Sequence, residues 1–364
     1  MTARAHKAQL TRLRRSIDAI DAELVRLLTE RHGLARDVAE LKRHSGRERY
    51  IPVREKQILA RVNDLNGGRL PAEALAGIFR DILGLCRQTE RPLVVAFPGP
   101  QGSLSHAAAR EQFGASTELL ATAGLAEVFE AVAQQRADYG IVPLETSSEG
   151  IGVHALEYFL ESDLTITAEY YWKLKLAVAG NRIRGRPRRL IVQEMIFALN
   201  RPWISESFRA AEIVLAPSVA WSAREASEHP GSAAICPHFS ASVHGLDIVS
   251  EAPGAALAKE MRFLTVGRSM PVLTRADKTT VAFSLIDRVG VLDDALRIFR
   301  RRKVNLSLLD SYYPSKTIPT VTFFADFHGH ATERAIARVL QELRGLSSFV
   351  KVLGSYPVFG GLRA

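Results

Sequence analysis

The sequence predicts a multidomain protein: an all-α N-terminal region, a two-lobed α/β middle region and a ferredoxin-like α+β C-terminal unit. Three observations predict it. Apolar residues recur at helical 3–4 spacing through the first part of the chain. At Pro92 the texture changes to short apolar runs alternating with helical segments. From Lys278 onward the elements follow the order β-α-β-β-α-β. A chain of 364 residues also exceeds one ordinary domain, two or three being expected at roughly 100–200 residues each.

In the first helix Leu10, Leu13, Ile17, Ile20, Leu24, Leu27, Leu34, Val38 and Leu41 form one stripe, with neither Pro nor Gly before Gly33. Helical throughout, residues 8–44 would extend about 55 Å at 1.5 Å per residue. So long a helix needs a partner chain to cover its seam, which argues for a homo-oligomer, at least a dimer. A second helix is expected from Pro52 or Val53 to about Asn63 and a third from about Pro71 to Thr89, with Asn66-Gly67-Gly68 turning between them.

Leu93-Val94-Val95-Ala96-Phe97 reads as a buried strand, followed by a Gly/Pro loop and an Ala-rich helix. Further strands are expected at Tyr139–Pro143, Leu174–Ala179, Leu190–Val192, Ala211–Leu215, Ala233–Ile235 and Phe263–Val266. The last unit reads as strand Val281–Ile286, helix Leu292–Arg302, strands Val304–Tyr312 and Thr320–His328, helix Ala331–Leu343 and strand Val350–Tyr356.

Composition narrows the class. Hydrophobic residues make up 47% and charged residues 24%, enough to build a large core and incompatible with a mostly disordered chain. No apolar run approaches the ~20 residues that span a bilayer, and no apolar signal core follows the N-terminus, so no membrane partner is expected and a cytoplasmic location is. Cys86 and Cys236 alone make neither a disulfide framework nor a zinc site. The net charge of +9 suits anionic substrates as well as nucleic acid. The densest basic run, Arg182 to Arg189, has no interleaved aromatics and reads as a solvated loop, so no nucleic-acid partner is expected.

Position 31 continues the apolar series 10, 17, 24, 31, 38, yet it holds Arg31. A buried arginine costs several kcal/mol unless an anion meets it. Lys42 lies eleven residues on and about 20° around the helix, so both long side chains can converge on one ligand. Arg14 is roughly 25 Å away along the axis and could join them only from an antiparallel partner. Spacing alone leaves open that all three are surface or dimer-edge charges.

The wider pattern is more specific. Leu13-Arg14, Ile17, Asp21, Leu24, Leu28, Glu30-Arg31, Lys42 and Pro52-Val53-Arg54-Glu55 together resemble the all-helical chorismate mutase family over residues 8–90. The resemblance implies that Arg31 and a partner's Arg14 hold the two carboxylates of chorismate. Lys42 would face the ether oxygen, Arg54 would support a carboxylate, and Glu55 would bind the ring hydroxyl. Cys86 stands where the family has a serine, and Glu90 where it has a second ether-oxygen donor. A glutamate can donate there only when protonated. Tyr50 and Ile51 replace an acidic residue that often precedes the Pro-X-Arg-Glu run.

The segment Ala96-Phe97-Pro98-Gly99-Pro100-Gln101-Gly102-Ser103-Leu104-Ser105-His106 resembles the opening signature of prephenate dehydratases, and Asp138 to Gly150 the second. Ser103 and Ser105 sit in a Gly-rich turn at a helix start, where free N–H groups can hold a carboxylate. The family's Glu-Asn-Ser/Thr is Glu145-Thr146-Ser147 here. Its Ser-His-Pro-Gln corresponds to Val192-Gln193-Glu194-Met195, and its Thr-Arg-Phe to Met261-Arg262-Phe263. Loss of that threonine removes a hydroxyl from beside the leaving group. Three readings stay open for this region. It dehydrates prephenate to phenylpyruvate using Glu145, Ser147 or Ser218, it decarboxylates without aromatising, or it binds without catalysing.

Residues 278–364 resemble the ACT regulatory domain of the same enzymes through Phe323 to His330 and Val352 to Pro357. The family's effector runs are Gly290-Val291-Leu292 and Asp310-Ser311-Tyr312-Tyr313 here. A phenylalanine effector and a purely dimerising role are both compatible with them. The resemblance as a whole implies a bifunctional enzyme with a mutase domain over 1–91, a dehydratase-like domain over 92–273 and an ACT domain over 278–364. Its small-molecule partners would be chorismate and prephenate, and neither a cofactor nor a metal is expected.

Overall fold

The computed structural model describes residues 3–43, 52–87, 93–145, 152–183, 185–252, 260–274, 276–286, 288–312 and 321–359. Contacts divide the chain into two units: Met1–Ile51, Leu59–Leu93 and Phe113–Thr117 form a mainly helical one, and the remainder forms a larger α/β one.

The helical unit is built on α1 (Ala3–Arg43), which runs unbroken for 41 residues. The other helices of the N-terminal region are α2 (Pro52–Asn66) and α3 (Ala72–Arg87). The expected turn between them forms as the composition dictates. Gly67 and Gly68 take positive φ, and Asn66 closes the loop by accepting from Leu70 N–H at 2.9 Å and donating to Leu70 O at 2.8 Å. The α1 stripe from Leu10 to Leu41 is exposed in the single chain.

The larger unit contains two sheets. Its elements are β1 (Val94–Pro98), α4 (Leu104–Phe113), β2 (Glu118–Thr122), α5 (Leu125–Ala133), β3 (Tyr139–Glu145), α6 (Gly152–Glu161) and β4 (Thr165–Lys173). They are followed by β5 (Ala177–Gly180), β6 (Arg189–Gln193), α7 (Glu194–Ser207), β7 (Glu212–Ala216), α8 (Val219–Glu228), β8 (Ser232–Cys236), α9 (His238–Val243), β9 (Asp247–Glu251) and β10 (Glu260–Gly267). The C-terminal part is β11 (Asp277–Leu285), α10 (Val291–Arg301), β12 (Leu306–Tyr312), β13 (Thr322–His328), α11 (Arg334–Leu346) and β14 (Ser347–Phe359).

Strands β7-β6-β8-β5-β9 form the second lobe, with β6 parallel to both β7 and β8. Strands β12-β13-β11-β14 are antiparallel neighbours in the ferredoxin-like order expected from sequence. Helices α10 and α11 cover one face of that sheet with Ala295, Ile298, Phe299, Ile336, Val339, Leu340 and Leu343, the i, i+3, i+4 positions of each helix.

Three strands went unread in the sequence: β2, β4 and β9. The first lobe and the C-terminal unit also prove to share one sheet, in the order β12-β13-β11-β14-β4-β10-β3-β1-β2. The reason is the length of β14. It pairs with β11 up to Pro357, and its last residues, Val358 and Phe359, pair in parallel with Glu169 and Tyr170 of β4. One core accordingly runs through both parts, joining Ala96, Val128, Phe159 and Leu264 to Ala282, Phe324, Leu353 and Tyr356. The last helix begins at Arg334, three residues later than its apolar pattern suggests, because Glu333 supplies its N-cap backbone and accepts from His330 N–H at 3.2 Å.

Candidate functional site

Two groups of residues carry the expected chemistry. In the helical unit Arg31 is half-buried, and its Nη1 donates to Cys86 Sγ at 2.8 Å. The structure therefore brings together two of the residues singled out in the sequence. Both cysteines are free, so this sulfur is available as an acceptor. Arg14 is exposed on the same helix as Arg31. Lys42 lies within α1, but its side chain, like the whole of Glu90, is outside the described residues. At the start of α2, Arg54 is exposed and Glu55 is 9% exposed. An acidic residue in a first helical turn is favoured by the helix dipole.

In the α/β unit the Gly-rich turn joins β1 to α4. Gly102 has φ +79°, the left-handed region that favours glycine, and a Cβ there would stand 2.6 Å from His244 Nε2, so that ring would have to move. Ser103 Oγ accepts the His106 N–H at 3.2 Å, closing the first turn of α4, and Ser105 is buried in that turn. The Gly102 N–H donates to His106 Nδ1 at 3.0 Å. That bond requires a neutral ring with its proton on Nε2. Burial, with Arg110 nearby, lowers the imidazole pKa to about 4. Phe97 stacks on this ring at 4.5 Å and Phe239 meets its edge at 4.7 Å. His106 thereby pins the turn between an aromatic of the first lobe and one of the second.

The second lobe presents the carboxyl ends of its parallel strands, the usual ligand side of an open α/β sheet. Gln193 ends β6 as the N-cap residue of α7, buried and with Oε1 unpaired. Ser218 follows β7 and caps α8, its Oγ accepting from Trp221 N–H at 3.1 Å. Cys236 ends β8, and burial pushes its thiol pKa up to about 12, so it is an inert packing residue.

The register of β3 and β10 sets the two remaining signature segments side by side. Arg262 pairs with Glu145 across that ladder, and Met261 precedes it on β10. The Glu145 side chain, Thr146 and Ser147 lie outside the described residues. Met261 and Phe263 are buried, and both flank Trp172 of β4. Arg262 is 3% exposed and engaged by Glu169 and Asp326, so its Nε and Nη2 are committed to protein carboxylates.

Glu169, Asp326 and Lys278 were missed in the sequence, as was Glu111 of α4. Glu111 fixes β4 by accepting from Tyr170 Oη at 2.9 Å and Trp172 Nε1 at 2.8 Å. The available signal was a single acid inside an otherwise apolar or aromatic strand. In the C-terminal unit Gly290, with φ +80°, is the N-cap of α10, and Val291 and Leu292 form its first turn. Asp310 and Ser311 lie on β12, Asp310 Oδ1 accepting from Ser311 N–H at 2.8 Å. Among the described residues there is no cluster of metal-ligating side chains, and no helix is long and apolar enough to cross a membrane.

Two families of known proteins match the chain over most of its length. A family model for chorismate mutase type II matches residues 13–91, and one for prephenate dehydratase matches residues 95–271. The chain is 33% identical over 355 residues to a bifunctional chorismate mutase/prephenate dehydratase of Aquifex aeolicus, covering 96% of this chain and 98% of that one. It is also 33% identical over 360 residues to the enzyme of the same name from Pseudomonas aeruginosa, covering 97% and 99%. Among solved structures, the prephenate dehydratase of Arthrobacter aurescens in complex with L-Phe superimposes with a TM-score of 0.67 at 30% identity, covering 73% of this chain and 90% of that one.

Proposed function

Because the chain belongs to the bifunctional chorismate mutase/prephenate dehydratase family, we propose that its N-terminal helices convert chorismate to prephenate and its middle region converts prephenate to phenylpyruvate, the keto acid from which phenylalanine is made. The observation that carries this is the order, in one chain, of a cation set into an apolar helical seam and a Gly-rich turn opening an α/β lobe.

The first step is pericyclic, with no covalent intermediate. The protein need only hold a compact substrate conformer and stabilise charge on the breaking ether. Arg31 binds one carboxylate, with Cys86 orienting its guanidinium. A second copy, its α1 antiparallel, covers the exposed stripe and brings Arg14 to the other carboxylate. Lys42 and Glu90 serve the ether oxygen, Arg54 a carboxylate and Glu55 the ring hydroxyl. The exposed run from Leu10 to Leu41 supports the dimer, since each covered aliphatic side chain contributes about 1.5–3 kcal/mol.

In the second step prephenate loses carbon dioxide and its ring hydroxyl. The Gly102–Ser105 turn and the helix starts after Gln193 and Ser218 suit the substrate carboxylates. Glu145, Ser147 or Ser218 is left to protonate the departing hydroxyl, because Met261 offers no proton. That buried methionine favours one competing outcome, decarboxylation with the hydroxyl retained. The ferredoxin-like unit supports an ACT domain over residues 278–364 that takes phenylalanine near Gly290–Leu292 and Asp310–Ser311, following a mutase domain over 1–91 and a dehydratase domain over 92–273. The test is incubation of the pure protein with chorismate and mass spectrometry of the products. Phenylpyruvate supports both steps, prephenate alone removes the second, and a non-aromatic keto acid replaces dehydration by decarboxylation.

A further inference from the structure

Four charged side chains meet in the interior where the ferredoxin-like strands join the first lobe. Arg262 of β10 donates through Nε to Glu169 of β4 and through Nη2 to Asp326 of β13. Lys278 of β11 stands 2.6 Å from the second oxygen of Glu169. None of the four is more than 5% exposed. Two cations and two carboxylates balance, and Thr280 Oγ1 completes Asp326 by donating to Oδ1 at 2.6 Å. Burial alone would lower the Arg262 pKa, but Asp326 and Glu169 more than offset it and keep the guanidinium charged.

A cluster buried to this extent is sensitive to charge imbalance. Removing one partner of a buried ion pair leaves an uncompensated charge, whereas removing a cation and an anion together leaves a neutral interior. The imbalance would be felt on β10, since Arg262 sits between Met261 and Phe263 on that strand and opposite Glu145 on β3. Two members, Lys278 and Asp326, belong to the C-terminal unit rather than to the lobe that carries the Gly-rich turn.

We propose that Asp326 and Lys278 are positioning residues of the prephenate site: by holding Arg262 and Glu169 in charge balance they fix the strand that carries Met261. This rests on the reading that Met261 borders bound prephenate. Arg262 itself acts within the cluster and not as a ligand of the substrate.

The test uses the full chain, with chorismate turnover as the internal control and prephenate as the probe. Asp326→Asn keeps the side-chain shape and leaves one excess positive charge. It should lower kcat for prephenate about tenfold or more, with KM within about threefold and mutase kcat within about twofold of the parent. Lys278→Met/Asp326→Asn restores neutrality and should recover kcat to within about threefold. A role confined to packing predicts the opposite order, since the double variant loses more contacts than the single one. Parental kcat in Asp326→Asn, or a double variant worse than the single, overturns the proposal. Should Asp326→Asn fail to fold, a folded double variant supports the proposal and an unfolded one overturns it. A parent that makes no product from prephenate overturns the underlying reading and this inference with it, an outcome distinct from an active parent whose variants are unaffected.

Discussion

Arg31 and Cys86 lie 55 positions apart in sequence and meet through one hydrogen bond of 2.8 Å, which ties the C-terminal half of α1 to the last turn of α3. The bond holds a half-buried guanidinium without neutralising it, because a thiol is a weak acceptor with no charge to offer. The positive charge therefore stays available to an anion, as a carboxylate site needs.

Replacing Arg31 by Ala should cut chorismate turnover by about 10²–10³-fold, the usual cost of losing one preorganised charge-stabilising donor. Secondary structure by circular dichroism and the sedimentation coefficient should stay those of the parent. Near-parental turnover in this variant would show that Arg31 does not hold the substrate.

The α1 stripe gives a second expectation. Ile17→Asp/Leu24→Asp would set charges in the seam of the dimer, where each is costly to bury. Sedimentation should report a monomer and mutase activity should disappear, while prephenate turnover stays within about twofold. A dimeric or mutase-active double variant would place the self-association surface elsewhere.

Met261→Thr should raise phenylpyruvate formation from prephenate by restoring a hydroxyl next to Arg262. The same change shortens a buried side chain and should lower stability by about 2 kcal/mol, a cost typical of large-to-small core substitutions. Activity up with melting temperature down is the expected signature. A folded variant that binds prephenate yet gains no phenylpyruvate would assign the hydroxyl's departure to other residues.

His106 predicts a pH dependence of stability. Its pKa is lowered to about 4 in the folded chain, against about 6.5 when exposed. Above pH 6.5 the ring is neutral in both states and its contribution is intact. As pH falls from 6.5 to 4 the unfolded chain takes up a proton that the native state refuses, and about 3 kcal/mol is lost in all. His106→Gln keeps an acceptor for the Gly102 N–H but does not titrate, so the difference in urea midpoint between parent and variant should shift progressively over that window. A difference that stays constant from pH 7 to 4 would show that the ring is not buried neutral.

Much of this was legible in the chain itself. The single-residue spacing of α1, the Asn66-Gly67-Gly68 turn and the order of the C-terminal elements are local patterns, and each appears in the structure. The three missed strands share a physical reason. β4 carries Glu169 amid aromatics and is buried on most of its length, so it shows no alternation. β9 is exposed along its whole length, and β2 has little burial, both being edge strands whose partners supply the ordering. Glu169 was unreadable as a core residue because its compensating cations, Arg262 and Lys278, come from strands far along the chain. Charge in a strand interior argues against burial until its partner is known.

The long final strand bears on how the protein is made. Ala96, Val128 and Phe159 emerge early from the ribosome, yet the core they build includes Leu353 and Tyr356 from β14. At about 5–20 residues per second, the first lobe must wait many seconds of synthesis with that apolar surface uncovered. That core closes only once β14 has been delivered, so nascent chains halted short of it keep an apolar surface uncovered and prone to aggregate.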